Sequence, residues 1–278
     1  MAKKNEIVKM NMNQALTRLS GAGTQMQLSE VDEVFALEGS GEEDAYDFVP
    51  SKIKIALGGV KGFSTADGTP VSAPLVGYAL SSVRIRGYWP RKSGTKIPFC
   101  SSLGGRWGVV NMDYSPEDLG AASEAATPHP HIIELDSGEE LSEAYSCKQC
   151  PLSQFGSQHE SQGGSGRGQA CKKRTRLLFL PEGWAKPAIV TLPTMSVAKW
   201  DEFCSTLETQ HKRPYYGFKI ALDVEPSQNK GGDPFGLVIP RFVSMVEDKE
   251  DAIAIVTIRE QMGEYIRSQA IVVDEGDV

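Results

Sequence analysis

The residues with the most pointed chemistry in this chain are its cysteines. Cys147-Lys-Gln-Cys150 is a C-x2-C knuckle, the spacing at which two thiolates reach one tetrahedral zinc ion. Cys171 follows after a Gly/Ser-rich loop that imposes little geometry of its own, so it can supply a third ligand. Two residues compete for the fourth position. Cys100 is preceded by Pro98 and followed by Ser101, Ser102, Gly104 and Gly105, which reads as a turn without apolar periodicity, where a buried structural thiol would be out of place. His159 lies between the knuckle and Cys171, and His129 and His131 are more distant alternatives. A four-cysteine site leaves no position open for water, which favours a structural Zn²⁺ over a catalytic one. The fifth cysteine, Cys204, falls on the apolar face of a predicted helix and reads as a small core side chain. An odd cysteine count in a chain without an export signal argues against a disulfide framework.

Charge is arranged in blocks. The formal net charge is −7, which alone discourages a nucleic-acid reading, because affinity for phosphate comes from Lys and Arg displacing counterions. Yet residues 84–112 hold Arg84, Arg86, Arg91, Lys92, Lys96 and Arg106 with no acid, and residues 148–176 hold Lys148, Arg167, Lys172, Lys173, Arg174 and Arg176 against Glu160 alone. Residues 29–50 and 113–143 carry only acids and read as solvated or linker segments. Aromatic rings are interleaved with the basic stretches: Tyr88 and Trp89 after Arg86, Trp107 after Arg106, and Phe155 beyond the knuckle. Core packing is the expected role of Phe99, Phe179 and Trp200, whereas Trp89 and Trp107, in Gly/Pro/Arg surroundings, are candidates for stacking on bases.

A scaffold must position these groups, and the composition allows one. The 278 residues are 40% hydrophobic and 23% charged, enough for one large core or two small ones. No apolar run approaches the roughly 18–20 residues that cross a bilayer, and no apolar stretch follows the N-terminal lysines, so a cytoplasmic protein without membrane contact is expected. KIKIALGG (52–59) and VGYALSSVRIRGYW (76–89) read as strands, and RTRLLFL (174–180) with KPAIVTL (186–192) as a hairpin. SVAKWDEFCSTLETQ reads as an amphipathic helix with Ser196 as N-cap and Val197, Trp200, Phe203, Cys204 and Leu207 on one face. Two more strands, YYGFKIALDV and FGLVIPRFVSMV, flank a Gly/Asn-rich turn, and a helix is predicted from Glu247 to Gln269. This order predicts a mainly β (α+β) fold, an OB-like, partly open β-barrel of the oligonucleotide-binding kind, although a β-sandwich produces the same string.

The motif order YWP, PFCSSLGGRWG, CKQCPLSQFGS, GRGQACKKRTRLLFL and LPTMSVAKW resembles a family of bacteriophage and mobile-element proteins. Those proteins are regarded as single-stranded DNA-binding or replication-associated, with a cysteine-ligated metal loop. The resemblance covers about residues 50–225 and is most specific over Cys147–Ser157 and Gly168–Arg176. It implies that the family's first cysteine falls on Cys100, making Cys100, Cys147, Cys150 and Cys171 the zinc ligands. Leu103 stands before Gly104 where the family pattern often has an acid, so no role for that acid carries over.

Zinc on these four residues would pin the two basic stretches together and create a basic lobe on an acidic protein. The expected function is sequence-tolerant, non-catalytic binding of single-stranded DNA, with RNA as the other polymer, in phage or mobile-element DNA replication and recombination. Arg84, Arg86, Arg106, Lys172, Lys173, Arg174 and Arg176 are the expected phosphate contacts, and Trp89 and Trp107 the stacking residues. The expected organisation is an N-terminal arm and acidic segment (1–50), an OB-like core (51–246) with a zinc-ribbon-like insert at about 90–175, and a C-terminal helix with an acidic tail (247–278) that recruits replication or recombination proteins. No nucleotide-binding glycine motif, H-E-x-x-H or G-x-S-x-G supports an enzyme. The competing expectation is a zinc-stabilised assembly or adaptor protein that binds other proteins.

Overall fold

The computed structural model describes residues 10–20, 50–55, 62–88, 98–110, 133–134, 140–141, 144–158, 168–228 and 234–269. Trp89, His129, His131, His159, nearly all of the acidic 29–50 stretch and the acidic tail after 269 lie outside them. The described fold is mainly β: a curled mixed sheet forming a half-barrel, with three α-helices. In chain order the elements are α1 (Met12–Ser20), β1 (Ser51–Ile55), β2 (Phe63–Thr65), β3 (Pro70–Val71), β4 (Leu75–Tyr88), β5 (Cys100–Leu103), β6 (Trp107–Val110), β7 (Ile133–Glu134), β8 (Glu140–Leu141), β9 (Ala144–Ser146), β10 (Lys172–Pro181), β11 (Ala188–Leu192), α2 (Thr194–His211), β12 (Phe218–Gln228), β13 (Pro234–Met245) and α3 (Lys249–Gln269). The main sheet runs β3-β2-β1-β11-β10-β4-β5-β6-β9, with β12 and β13 branching from β4, and β7–β8 form a separate ladder. All pairings are antiparallel except β1 with β11.

The continuous apolar run of β10 is explained by its central place, covered on both faces. Leu177 and Phe179 enter one core with Trp200 and Leu207 of α2, while Leu178 and Leu180 enter a second core with α1 and α3. Strand β4 has only a partial period of two because Leu80 is an extra residue: Phe179 pairs with Ala79 and Leu178 with Ser81. Such a bulge reverses the faces beyond it. Ala79 therefore faces the α2 core, Leu80 and Val83 the α1/α3 core, and Ser82 accepts a hydrogen bond from the Trp200 indole at 3.0 Å. Arg84 and Arg86 continue on the face of Ser82.

Opposite β10, the other edge of β4 is shared. Strand β12 pairs with Leu75–Tyr78 and β5 with Ile85–Tyr88. Between them Arg259 of α3 donates to the Leu80 carbonyl, and the Gly104 amide donates to the Arg84 carbonyl at 2.7 Å. These side-chain and turn contacts satisfy buried backbone that a continuous ladder would otherwise pair.

Several sequence expectations change. Helix α1 lies in the N-terminal arm, started by a reciprocal cap in which the Gln14 amide donates to Asn11 Oδ1 (2.9 Å) and the Asn11 amide to Gln14 Oε1 (3.2 Å). Helix α2 begins at Thr194 with Pro193 as its N-cap residue. Ser196 is buried in the first turn and its hydroxyl accepts from the Val238 amide at 2.9 Å, tying α2 to β13. Cys100 opens strand β5 rather than lying in a turn; the turn follows it, at Gly104 and Gly105, whose φ values of +78° and +70° suit a tight hairpin that side-chain-bearing residues resist. No described helix is long and apolar enough to cross a membrane.

Candidate metal centre and nucleic-acid interface

Strand alternation brings the cysteines together. Cys100 and Ser102 share a face of β5, and Ser102 pairs with Arg86 of β4. Across β5–β6 the Cys100↔Val110 register sets Gly108 beside Ser102, and Gly108 pairs with Tyr145 of β9 on its other side. Cys147, two residues beyond Tyr145, keeps that face, held by its amide donating to the Arg106 carbonyl at 2.9 Å. Cys171 precedes β10 on the face of Lys173, the partner of Arg86. The chain then turns at the knuckle, where the Cys150 amide donates to the Ser146 carbonyl (3.0 Å) and a 3₁₀ turn, Pro151–Ser153, follows. The Ser153 hydroxyl donates to the carbonyls of Cys147 and Cys150, and the Cys171 amide to the Leu152 carbonyl at 2.8 Å, closing the lobe.

As a result Cys100, Cys147, Cys150 and Cys171 line one cavity with Arg86, Ser102, Gly108 and Leu152. Phe99 and Leu152 form its apolar wall, backed by Tyr88, which meets Phe99 edge to face at 6.2 Å between ring centres. All four thiols are free. As the side chains stand, no group of three or more His, Cys, Asp or Glu among the described residues is drawn together to metal-binding spacing. A Cβ placed on Gly108 would meet Cys100 Sγ at 2.8 Å and Cys147 Sγ at 3.6 Å, so glycine is what allows both sulfurs to approach that strand.

Electrostatics in the cavity oppose a bare thiolate. Burial raises the Cys100 thiol far above its ordinary value, and the charges of Cys171, Cys147 and Cys150 push it further. Burial also pushes Cys171 up to about 12 while the Arg86 guanidinium draws it back. Cys147 is raised by burial, with Ser102 and Arg86 opposing. Thiolates here would need a cation at short range, and a divalent ion supplies one.

The proposed phosphate contacts divide by exposure. Arg106 is exposed on the cysteine lobe, as is Lys148, which was not among the expected contacts, and Lys172 and Lys173 are half-buried at the start of β10. Arg84 is held by Asp201 of α2 and by the Thr175 hydroxyl. Arg174 and Arg176 are only 8% and 3% exposed, which takes them out of reach of a strand lying on the surface. Arg86 reaches inward, its Nη1 3.4 Å from the Cys171 carbonyl oxygen. Because Gly108 faces the cavity, its neighbour Trp107 faces out, 44% exposed, and Phe155 beyond the knuckle is 80% exposed. Trp200 and Phe179 are buried in the α2 core, and Phe99 is in the cavity wall. Cys204 is half-buried against the α2 core, and burial pushes its thiol up to about 12.

Sequence reasoning did not find Asp201, Ser102 or Gly108. Alternation counted from Cys100 and Cys147 would have set Ser102 and Gly108 on the cysteine face, but the strands that carry them are four residues long, too short to show a period. Comparison with protein-family models, curated proteins and solved structures gives no match.

Proposed function

We propose that this chain binds single-stranded DNA, sequence-tolerantly and without catalysis, through a lobe stabilised by one structural Zn²⁺, and that it serves phage or mobile-element DNA replication or recombination. The observation that carries this reading is the surface of the cysteine lobe: two large rings, Trp107 and Phe155, stand exposed beside the exposed cations Arg106 and Lys148. Exposed rings stack on unpaired bases whatever their sequence, and the cations follow the phosphates. Lys172 and Lys173 extend the basic surface onto β10, next to an OB-like reading of the half-barrel.

Cys100, Cys147, Cys150 and Cys171 would hold the zinc. Four sulfur donors lining one apolar cavity fit a closed site, and the metal would cross-link β5, the knuckle and the start of β10. The chain's own contribution is the lobe on which Trp107 and Arg106 are both exposed.

Titration of tryptophan fluorescence with oligo-dT over a salt series, together with zinc analysis of the purified protein, tests the reading. The expected result is quenching, a steep negative slope of log affinity on log salt, and one zinc per chain. Trp107→Ala should cost about 1–3 kcal/mol of binding with the slope unchanged, and Arg106→Ala should lower the slope by about 0.7. Neither quenching nor a mobility shift at low salt would replace DNA binding with the adaptor reading. That second reading has its own support in β13, which among the described residues pairs with β12 alone and exposes Phe242, Val243 and Met245.

A further inference from the structure

We propose that Arg86 is the built-in counter-charge and sulfur hydrogen-bond donor of the cysteine centre, a positioning residue for the metal and not a contact to nucleic acid. The inference rests on the zinc reading above. Its β4 register, opposite Ser102 on one side and Lys173 on the other, puts the side chain on the cysteine face. Among the described residues lining the cavity Arg86 is the basic one. Its Nη1 lies 3.4 Å from the Cys171 carbonyl oxygen, and its Nε is buried with no hydrogen-bond partner.

The neighbouring cations have other commitments. Arg84 is bound by Asp201 and Thr175, and Lys173 is half-buried beside both arginines. A Zn²⁺ held by four thiolates leaves a net negative site in an apolar wall, and a guanidinium offsets part of that charge. Its remaining N–H groups can donate to thiolate sulfur, which fixes the ligand and lowers its donor strength. The buried Nε, which has no hydrogen-bond partner, is a donor not committed elsewhere.

The test uses the full chain and its Arg86→Gln and Arg86→Lys variants, with zinc retention read by chelator competition and the ligand field read by Co²⁺ substitution. Arg86→Gln should weaken zinc retention by about 10- to 100-fold, and the sulfur-to-cobalt charge-transfer band should move to lower energy because the sulfurs lose a donor. Arg86→Lys, which restores the charge without the fork, should recover part of the retention. If Arg86→Gln is too unstable to purify, the Lys variant decides: an unshifted band and full retention overturn the proposal. Wild-type protein that holds no zinc overturns the zinc reading and this inference with it. Wild type that holds zinc while Arg86→Gln holds it equally well, with the same band, overturns the inference alone.

Discussion

Gly108 shows how much of the candidate centre depends on single atoms. Its backbone is unexceptional, so the demand for glycine comes from the two sulfurs over it. Gly108→Ala would drive a methyl into Cys100 Sγ, where the strand behind and the hairpin at Gly104 leave little freedom to yield. Overpacking of this kind costs about 1–3 kcal/mol. The expected outcome is a destabilised lobe with weakened zinc retention, measured by chemical denaturation and by metal analysis; a variant as stable and as zinc-rich as wild type would show that the sulfurs do not hold those positions. The same residue marks what could be read in advance. The C-x2-C knuckle and the two isolated cysteines stand out by type and spacing. Gly108, Ser102 and the inward turn of Arg86 depend on which face of a short strand each occupies, and a bulge at Leu80 that no pattern announces sets the face of Arg86.

At the scale of elements, the junction of α1 with α3 is held by charge. Arg18 of α1 contacts Asp248, Glu250 and Asp251 at 2.6–2.7 Å, while Asp248 caps α3 by accepting from the amides of Glu250 (2.8 Å) and Asp251 (3.0 Å). The amide of Asp251 chiefly holds the Asp248 carboxyl below its ordinary value; desolvation is the next-largest effect and opposes it, and Arg18 and the amide of Glu250 add to the lowering. A depressed carboxyl stabilises fully above its unfolded value of about 3.9 and loses that contribution as pH falls through the lower folded value. Asp248→Asn keeps a capping oxygen but loses the charge. Its melting temperature should lie below wild type at neutral pH, and the gap should close as pH drops toward the folded carboxyl value; a gap independent of pH would remove the charge from the account. The long apolar or amphipathic segments of β4, β10, β11, β12, β13, α2 and α3 were readable because their periodicity spans several turns or pairs. Helix α1 was not, although Asn11 and Gln14 spell its reciprocal cap and Met12, Ala15, Leu16 and Leu19 recur at helical spacing, because nine residues are too short a window for that pattern to stand out and too few to hold a helix without packing on α3.

Across the whole molecule, strand β4, with β10 paired along it, links two regions. Its first half lies in the α2 and α1/α3 cores, and its last residue, Tyr88, packs behind the wall of the cysteine cavity. Among the described residues that third cluster has Tyr88, Phe99, Leu152 and Cys171 as its buried members, few apolar side chains to fix short strands and turns without a cross-link. The two larger cores need no metal: Trp200, Phe179, Phe218 and Ile220 are buried in one, and Leu80, Leu178, Ile255 and Ile258 in the other. Removing zinc with a chelator should therefore loosen the cysteine lobe while leaving the half-barrel folded. Hydrogen exchange should show protection lost in 98–110, 144–158 and 168–171 and in the last residues of β4, with protection kept in β10 from Leu177 onward, β11, β12 and α3. Far-ultraviolet circular dichroism should change little, and oligo-dT binding should fall because Trp107 and Arg106 lose their common platform. Global unfolding at the chelator concentration that removes the metal would mean that the lobe and the half-barrel form one cooperative unit. Unchanged exchange after the metal is gone would mean that the lobe is held by its hydrogen bonds alone, those of Ser153 and of the Cys171 amide.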